Sequence, residues 1–168
     1  IITIARQCGS GGHEIGKERL PDWEWNYMTE RNLKKKAKKI GKFDENKDFF
    51  QEKAVNSLLY SIAISYGESN PMEKSFELIH ELTQGKPAVI IGVVPEQYIK
   101  KDPDATTIFL HADKDCRIER VMERDNISRK EARTKKKEGI EKRSSFHKFC
   151  TGKAWEDASQ YQLSIDTG

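Results

Sequence analysis

A short apolar strand that runs into a glycine-rich loop and then a helix constrains this chain more than any other part of its sequence. The run at residues 1–5 is apolar and β-branched, and Arg-Gln-Cys-Gly-Ser-Gly-Gly-His-Glu follows it at residues 6–14. Continuous apolar strands are typical of parallel sheets that are covered on both faces. Glycines at such a junction permit positive φ, so backbone N–H groups can converge on an anion at the start of the helix. The junction therefore predicts a phosphate cradle in an α/β fold.

The spacing of the glycines allows two registers for this loop. Gly11 to Lys17 matches the phosphate-loop pattern G-x-x-x-x-G-K, but Glu18 stands where that pattern has Ser or Thr. If the loop instead begins where the strand ends, Gly9 and Gly11 are the loop glycines and Gly12 takes the place of the phosphate-binding lysine. We favour this second register, and a glycine turn without a ligand is the alternative. The cations nearby are Arg6, His13 and Lys17.

Beyond this junction, strand and helix patterns alternate, as they do in α/β proteins with a parallel sheet. Apolar or alternating runs predict further strands at residues 88–92, 106–112 and 161–166. Capping residues and helical spacing predict helices that begin near Asp48, Pro71, Asp113 and Ser128. No strand is predicted between the first helix and residue 88. The aromatic residues of that stretch are interpreted as a patch of the core or of an interface, and they are Trp23, Trp25 and Tyr27.

Two segments carry concentrated positive charge. Arg117, Arg120 and Arg124 recur on one stripe of the helix after Asp113, where guanidinium forks match phosphate oxygens and a solvated salt-bridge face is the alternative. The very polar helix that follows has little to bury and is expected to be mobile. The lysine run at residues 34–39 is interpreted as a solvated helix face, and the alternative is contact with nucleic acid or an acidic partner.

The composition narrows the class of protein. The 168 residues suffice for one domain, and 30 basic against 27 acidic residues give a net charge of +3, which is too balanced to indicate nucleic-acid binding. Three cysteines without metal-like spacing predict neither disulfides nor a zinc site. No apolar run is long enough to span a membrane and no signal peptide is recognisable, so we expect a cytoplasmic protein.

The motifs together resemble the cytidylate kinase-like family. The resemblance rests on the junction at residues 1–17, the arginine helix at 117–124 and Thr-Gly-Lys-Ala-Trp at 151–155. It implies an α/β fold like that of P-loop kinases, with a parallel sheet flanked by helices in a single domain over residues 1–168. It also implies a helical acceptor-binding insertion at about 20–85 and a mobile lid at about 125–155. The implied activity is that of a nucleotide kinase, which transfers a phosphoryl group from ATP, with Mg²⁺, to a small phosphorylated acceptor resembling CMP.

The resemblance also assigns site residues. The donor-phosphate loop falls on Gly9, Ser10, Gly11, Gly12, His13 and Glu14, and the catalytic cations fall on Arg6, Arg117, Arg120, Arg124 and Arg143. Metal ligands and the oligomeric state are not assigned. The family pattern has Gly-Arg where this chain has Gly92-Val93, so we expect CMP to bind weakly. A nucleotide-binding regulator without kinase activity is the second hypothesis, and a protein that binds nucleic acid or an acidic partner is the third.

Overall fold

The structure is a computed structural model that describes residues 1–19, 25–52, 71–83, 85–92 and 102–168. Its strands are β1 (Ile2–Arg6), β2 (Asn26–Thr29), β3 (Ala88–Ile91), β4 (Thr106–His111) and β5 (Leu163–Asp166). Its described α-helices are α1 (Gly12–Arg19), α2 (Glu30–Lys39), α3 (Lys47–Phe50), α4 (Pro71–Thr83), α5 (Lys114–Asp125) and α6 (Arg129–Thr151). Short 3₁₀ helices occupy Asp44–Asn46 and Ala158–Gln160.

The strands form one parallel sheet in the order β2-β3-β1-β4-β5, which confirms the predicted fold class. β1 lies in the centre, with Ile2 opposite Val89 of β3 on one side and Thr106 of β4 on the other. The strands predicted at 1–5, 88–92, 106–112 and 161–166 are all present with slightly different ends. Because parallel strands end at the same edge, the end of β1 lies beside the end of β3.

The prediction that no strand lies between the first helix and residue 88 was wrong. β2 pairs with β3 along its whole length, from Asn26 opposite Ala88 to Thr29 opposite Ile91. Trp25 and Tyr27 belong to this part of the sheet and pack, partly buried, against the core. Trp23 lies outside the described residues.

Both faces of the sheet are covered by apolar side chains, as expected for a parallel sheet. On one face, Ile90 and Met28 pack with Leu33 of α2, Phe50 of α3 and Ile79 of α4. The other face includes a smaller cluster formed by Ile4, Val89, Ile91 and Leu110. The predicted helix from Asp48 is described only as far as α3, and most of its residues lie outside the described part of the chain.

The lysine run lies on α2, whose Leu33 and Ala37 are buried against the core. Several of its lysines have partners within the chain: Lys34 pairs with Glu30, Lys36 Nζ donates to a backbone oxygen of α4 at 3.3 Å, and Lys38 Nζ lies 4.8 Å from an aromatic ring centroid. The run is therefore the outer face of an amphipathic helix.

The two helices after β4 begin as predicted. Asp113 caps α5, and Ser128 with Glu131 forms a capping box at the start of α6. α6 buries more than expected, since Ala132 packs against α5 and Phe146 joins the main core. Mobility of this segment stays a prediction. Within the described ranges, no helix has both the length and the apolar composition that a membrane span requires.

Candidate functional site

The loop between β1 and α1 is shaped by two glycines in the left-handed region. Gly9 has φ +86° and Gly11 has φ +74°, and a Cβ on Gly9 would lie 2.3 Å from the backbone oxygen of Arg117. The buried Ser10 closes the turn, because its N–H and its hydroxyl both donate to the backbone oxygen of Gln7 at 3.2 and 2.9 Å. Larger residues at these glycines would therefore strain the turn.

The loop ends on the first turn of α1, where the amides of residues 12–14 have no partner inside the helix. These donors and the positive end of the helix face a cavity of about 190 Å³, which is lined by residues 6–14 and by Arg120, Arg124 and Arg143. All six predicted loop residues and four of the five predicted arginines thus line one cavity. Glu14 is the only carboxylate among the described residues that line it.

Arg6 enters this cavity from the end of β1. Its Nη1 is buried and has no hydrogen-bond partner among the described residues. Burial, and then the positive charge of Arg143, lower the pKa of Arg6 to about 10, so the group still carries its charge at neutral pH. A buried cation with an unpaired donor is costly, and an anion in the cavity would offset that cost.

Arg120 ties the loop to the end of β5. Its guanidinium donates to the backbone oxygen of Thr167 and lies 3.5 Å from that of Gly9. The Thr167 hydroxyl lies 2.9 Å from the backbone oxygen of Ser10 and 3.0 Å from that of His111. Thr167 was not among the predicted site residues, although it lies just after a predicted parallel strand, where ligands of α/β sheets collect.

Arg124 and Arg143 each have a carboxylate partner. Arg124 forms a two-point pair with Asp125 at 2.8 and 2.9 Å, and these bonds, together with Lys135, hold the pKa of Asp125 well below its usual range. Arg143 Nε lies 3.2 Å from Oε1 of Glu52, which is buried. Glu52 was not among the predicted site residues, because nothing in its local sequence distinguishes it.

Arg117 departs from the predicted stripe. Its Nε donates to the backbone oxygen of Ala112 at 2.8 Å, its side chain is buried, and it does not line the cavity. Arg117 instead packs against the loop on the side away from the cavity lining, and its backbone oxygen contacts Gly9.

His13 and Glu14 are the remaining titratable groups of the first helical turn. Burial, and then the charge of Arg6, lower the pKa of His13, so its imidazole is neutral at physiological pH. Within the described residues, no cluster of three His, Cys, Asp or Glu side chains could hold a metal ion. The site nevertheless fits Mg²⁺ bound mainly by phosphate oxygens and water, since Mg²⁺ needs only one or two protein carboxylates and Glu14 supplies one.

The comparisons with known proteins agree with this fold. The model of the cytidylate kinase-like family matches residues 1–168. An uncharacterized protein from Eubacterium ventriosum superposes with a TM-score of 0.73 at 23% identity, over 99% of this chain and 87% of that one. Shikimate kinase from Bacteroides thetaiotaomicron gives a TM-score of 0.51 at 16% identity, over 99% of this chain and 85% of that one. At these identities the structural likeness shows the fold alone. The functionally curated proteins give no match.

Proposed function

We propose, from the premise that this chain belongs to the cytidylate kinase-like family, that it transfers a phosphoryl group from ATP to a small phosphorylated acceptor. One observation carries the proposal: a glycine loop at the start of α1 and four guanidinium groups line the same cavity. Phosphoryl transfer depends on positioning and on neutralising charge, and it needs no protein nucleophile. A cavity that collects cations and backbone donors suits that chemistry.

The donor phosphates would lie against the loop. Gly12, His13 and Glu14 line the cavity, and their amides, in the first turn of α1, have no partner inside the helix and would donate to an anion there. The neutral imidazole of His13 adds a polar group without adding charge. Loop residues 9–14 would therefore bind and orient the triphosphate.

The arginines would act on the charge that develops during transfer. Arg6 stands at the end of β1, and Arg143 is presented by α6, the helix of the proposed lid at about residues 125–155. A movement of α6 toward the loop would bring Arg143 closer to the transferring group and would exclude water. Arg120 would hold the loop while this happens, and Arg117 would support it from below.

The cofactor would be Mg²⁺ bound with ATP, and Glu14 is the carboxylate placed to hold it or its water ligands. When bound, Mg²⁺ neutralises the phosphate oxygens of the nucleotide. The acceptor would be a small phosphorylated compound resembling CMP, bound by the proposed insertion at about residues 20–85. Val93, which replaces the family's arginine, lies outside the described residues.

A second function is favoured by the ion pairs. Arg124 is paired with Asp125 and Arg143 with Glu52, so two of the four cavity arginines already have carboxylate partners. A protein that binds a nucleotide as a signal, without transferring its phosphate, would keep these pairs. The third hypothesis, nucleic-acid binding, loses support because several lysines of α2 have partners within the chain.

Binding and turnover measured on the same protein separate these functions. Calorimetry with ATP and GTP, with and without Mg²⁺, measures nucleotide affinity. Incubation with ATP, Mg²⁺ and a panel of nucleoside monophosphates then measures the ADP that forms only when an acceptor is present. Acceptor-dependent ADP is the result expected of a kinase, whereas tight nucleotide binding without it would favour the regulator. No nucleotide binding, with salt-dependent binding of RNA or DNA, would reject both.

A further inference from the structure

We propose that Arg6 supplies the positive charge that phosphate loops usually take from a lysine, and that residue 12 is glycine because the side chain of Arg6 passes over it. The ligand would be the terminal phosphates of a nucleoside triphosphate. The inference rests on the proposed function and names the group that would carry out one of its tasks.

Compared with the phosphate-loop pattern, Arg6 stands where the pattern has a glycine and Gly12 stands where it has the lysine. The phosphate-loop pattern is G-x-x-x-x-G-K. When its second glycine is Gly11, its first glycine falls on Arg6 and its lysine falls on Gly12. The cation and the glycine have thus exchanged places between the end of the strand and the first residue of the helix.

The contacts explain why the exchange involves both positions. A Cβ on Gly12 would lie 3.0 Å from both Cγ and Cδ of Arg6, closer than nearly all real Cβ contacts. Gly9 and Gly11 have positive φ and Gly12 does not, so the backbone at residue 12 accepts any L-amino acid. The glycine at residue 12 therefore provides space for Arg6. A lysine here would have to displace the arginine stem.

A second glycine, Gly92, lies against the guanidinium of Arg6. Gly92, at the end of β3, has φ +105°, and a Cβ there would lie 2.6 Å from Nη1 of Arg6. The aliphatic part of the Arg6 side chain therefore packs over Gly12, and its guanidinium packs over Gly92, where it lines the loop cavity. Nη1 is buried and has no hydrogen-bond partner in the described part of the chain, so the guanidinium has a donor available for a ligand there.

The chemistry of the group suits phosphate. A guanidinium is planar, offers a fork of donors and stays charged when it is buried, whereas a lysine ammonium is a point charge whose pKa shifts readily. Arg6 is also fixed by the sheet, because its backbone pairs with Leu110 of β4. Because its side chain already packs closely against Gly12 and Gly92, ordering the fork on phosphate oxygens costs little further side-chain entropy.

Four proteins test the inference: the wild type, Arg6→Gly, Gly12→Lys and the double variant, which restores G-x-x-x-x-G-K. We expect Arg6→Gly to weaken ATP binding at least about tenfold, because it removes a charge-assisted bond. Gly12→Lys should weaken ATP binding and lower the unfolding temperature, since Arg6 and the new side chain compete for one space. The double variant should bind ATP better than either single variant and should unfold at a higher temperature than Gly12→Lys.

Matched variants separate this effect from general ones. Gly139→Lys adds a lysine to α6 at a glycine whose added Cβ would contact no other described part of the chain within 4 Å, and it should leave ATP affinity and stability close to those of the wild type. Arg6→Gln keeps the stem and removes the charge, so it should bind ATP as weakly as Arg6→Gly. ATP affinity unchanged in both Arg6 variants, or effects that simply add in the double variant, would overturn the inference.

Unfolding temperatures measured without ligand test the packing of Arg6 against Gly12 separately from the binding of phosphate by Arg6. If the wild type binds no ATP, the proposed function and the phosphate role of Arg6 are both rejected. Non-additive unfolding temperatures would even then show that Gly12 makes room for Arg6, because that measurement needs no nucleotide.

Discussion

Arg143 and Glu52 meet across 91 positions of the sequence, with Nε of the arginine 3.2 Å from Oε1 of the glutamate. Both side chains are largely buried, and Glu52 has the positive φ of 47° that a non-glycine residue seldom adopts. The pair joins α6 to the end of α3. Glu52 and Arg143 also act in opposite directions on Arg6, because the glutamate raises the pKa of Arg6 and Arg143 lowers it. The three groups therefore form one electrostatic unit at the edge of the cavity.

Glu52→Gln is expected to destabilise the protein by about 3 kcal/mol, because it leaves the buried charge of Arg143 without its partner. Urea unfolding measures the change. Phosphate should recover part of the loss, since an anion that binds the native state stabilises it. The matched control is Glu141→Gln on α6, whose exposed partner Lys137 lies 3.8 Å away and which should cost at most a few tenths of a kcal/mol. Equal losses in the two variants would contradict the prediction.

Gly11→Val is expected to abolish ATP binding. Valine at φ +74° strains the loop, and the distorted turn no longer aims its amides at the anion. Gly41→Val is the matched control, because Gly41 has φ +73° with nothing within 4 Å and does not line the cavity. Thermal unfolding and calorimetry should show a stability loss in both variants and a loss of binding only in Gly11→Val. Wild-type affinity in Gly11→Val would exclude the cradle.

Arg120→Ala and Arg143→Ala are expected to differ in kind. Arg120 contacts the backbone of Gly9 and Thr167, so its removal should loosen the loop and lower both ATP affinity and turnover. Arg143 should act mainly in the closed state, so its removal should lower the single-turnover rate by about 10²-fold or more and change ATP affinity far less. Wild-type rates in Arg143→Ala would show that this arginine serves only its pair with Glu52.

His147 is expected to make the fold sensitive to mild acid. Burial lowers the pKa of this histidine to about 4, from an ordinary value of 6.5. Below pH 6.5 the imidazole of His147 binds a proton in the unfolded chain but stays neutral in the folded protein down to about pH 4. The free energy of unfolding should therefore fall as the pH drops from 6.5, and most of the loss should have occurred by pH 4. The loss attributable to His147 is about 3 kcal/mol. Denaturant unfolding of His147→Gln should show a shallower decline between pH 6.5 and pH 4, with pH 7.5 as the reference. Parallel curves for the two proteins would contradict this assignment.

The strands that the sequence predicted are those with a continuous apolar or alternating pattern, which reports burial directly. β2 was missed because its four residues, Asn26–Thr29, show neither pattern and follow Trp25, so the stretch was interpreted as an aromatic patch. Its strand conformation comes from pairing with β3, a contact more than fifty positions away that no local pattern encodes.

In the candidate site, too, the sequence indicated the residues with a local pattern and not those that long-range contacts bring in. The loop glycines were identifiable because their role is local, and Arg6 because the loop lacked its usual cation. Helical spacing placed Arg117 only about 20° from Arg124 around the axis, yet the two lie about 10 Å apart along it. One therefore lies below the loop and the other beside the cavity, and angular spacing alone does not separate them. Glu52 contacts Arg143, which is 91 positions away in the sequence, and Thr167 contacts Ser10, which is 157 positions away. No local pattern predicts contacts over such separations.

The bond between Thr167 and Ser10 forms late in the synthesis of the chain. The loop is made early, but its hydroxyl partner follows 157 residues later. At about 5–20 residues per second, a ribosome needs roughly 10–30 s to cover that distance. The strands β2, β3 and β4 and the arginines of α5 are all made within this interval, while the last bond to the loop is still missing. The nascent chain can therefore form this bond only after residue 167 has left the ribosome, and the loop passes through the earlier part of synthesis without its contact to the end of β5.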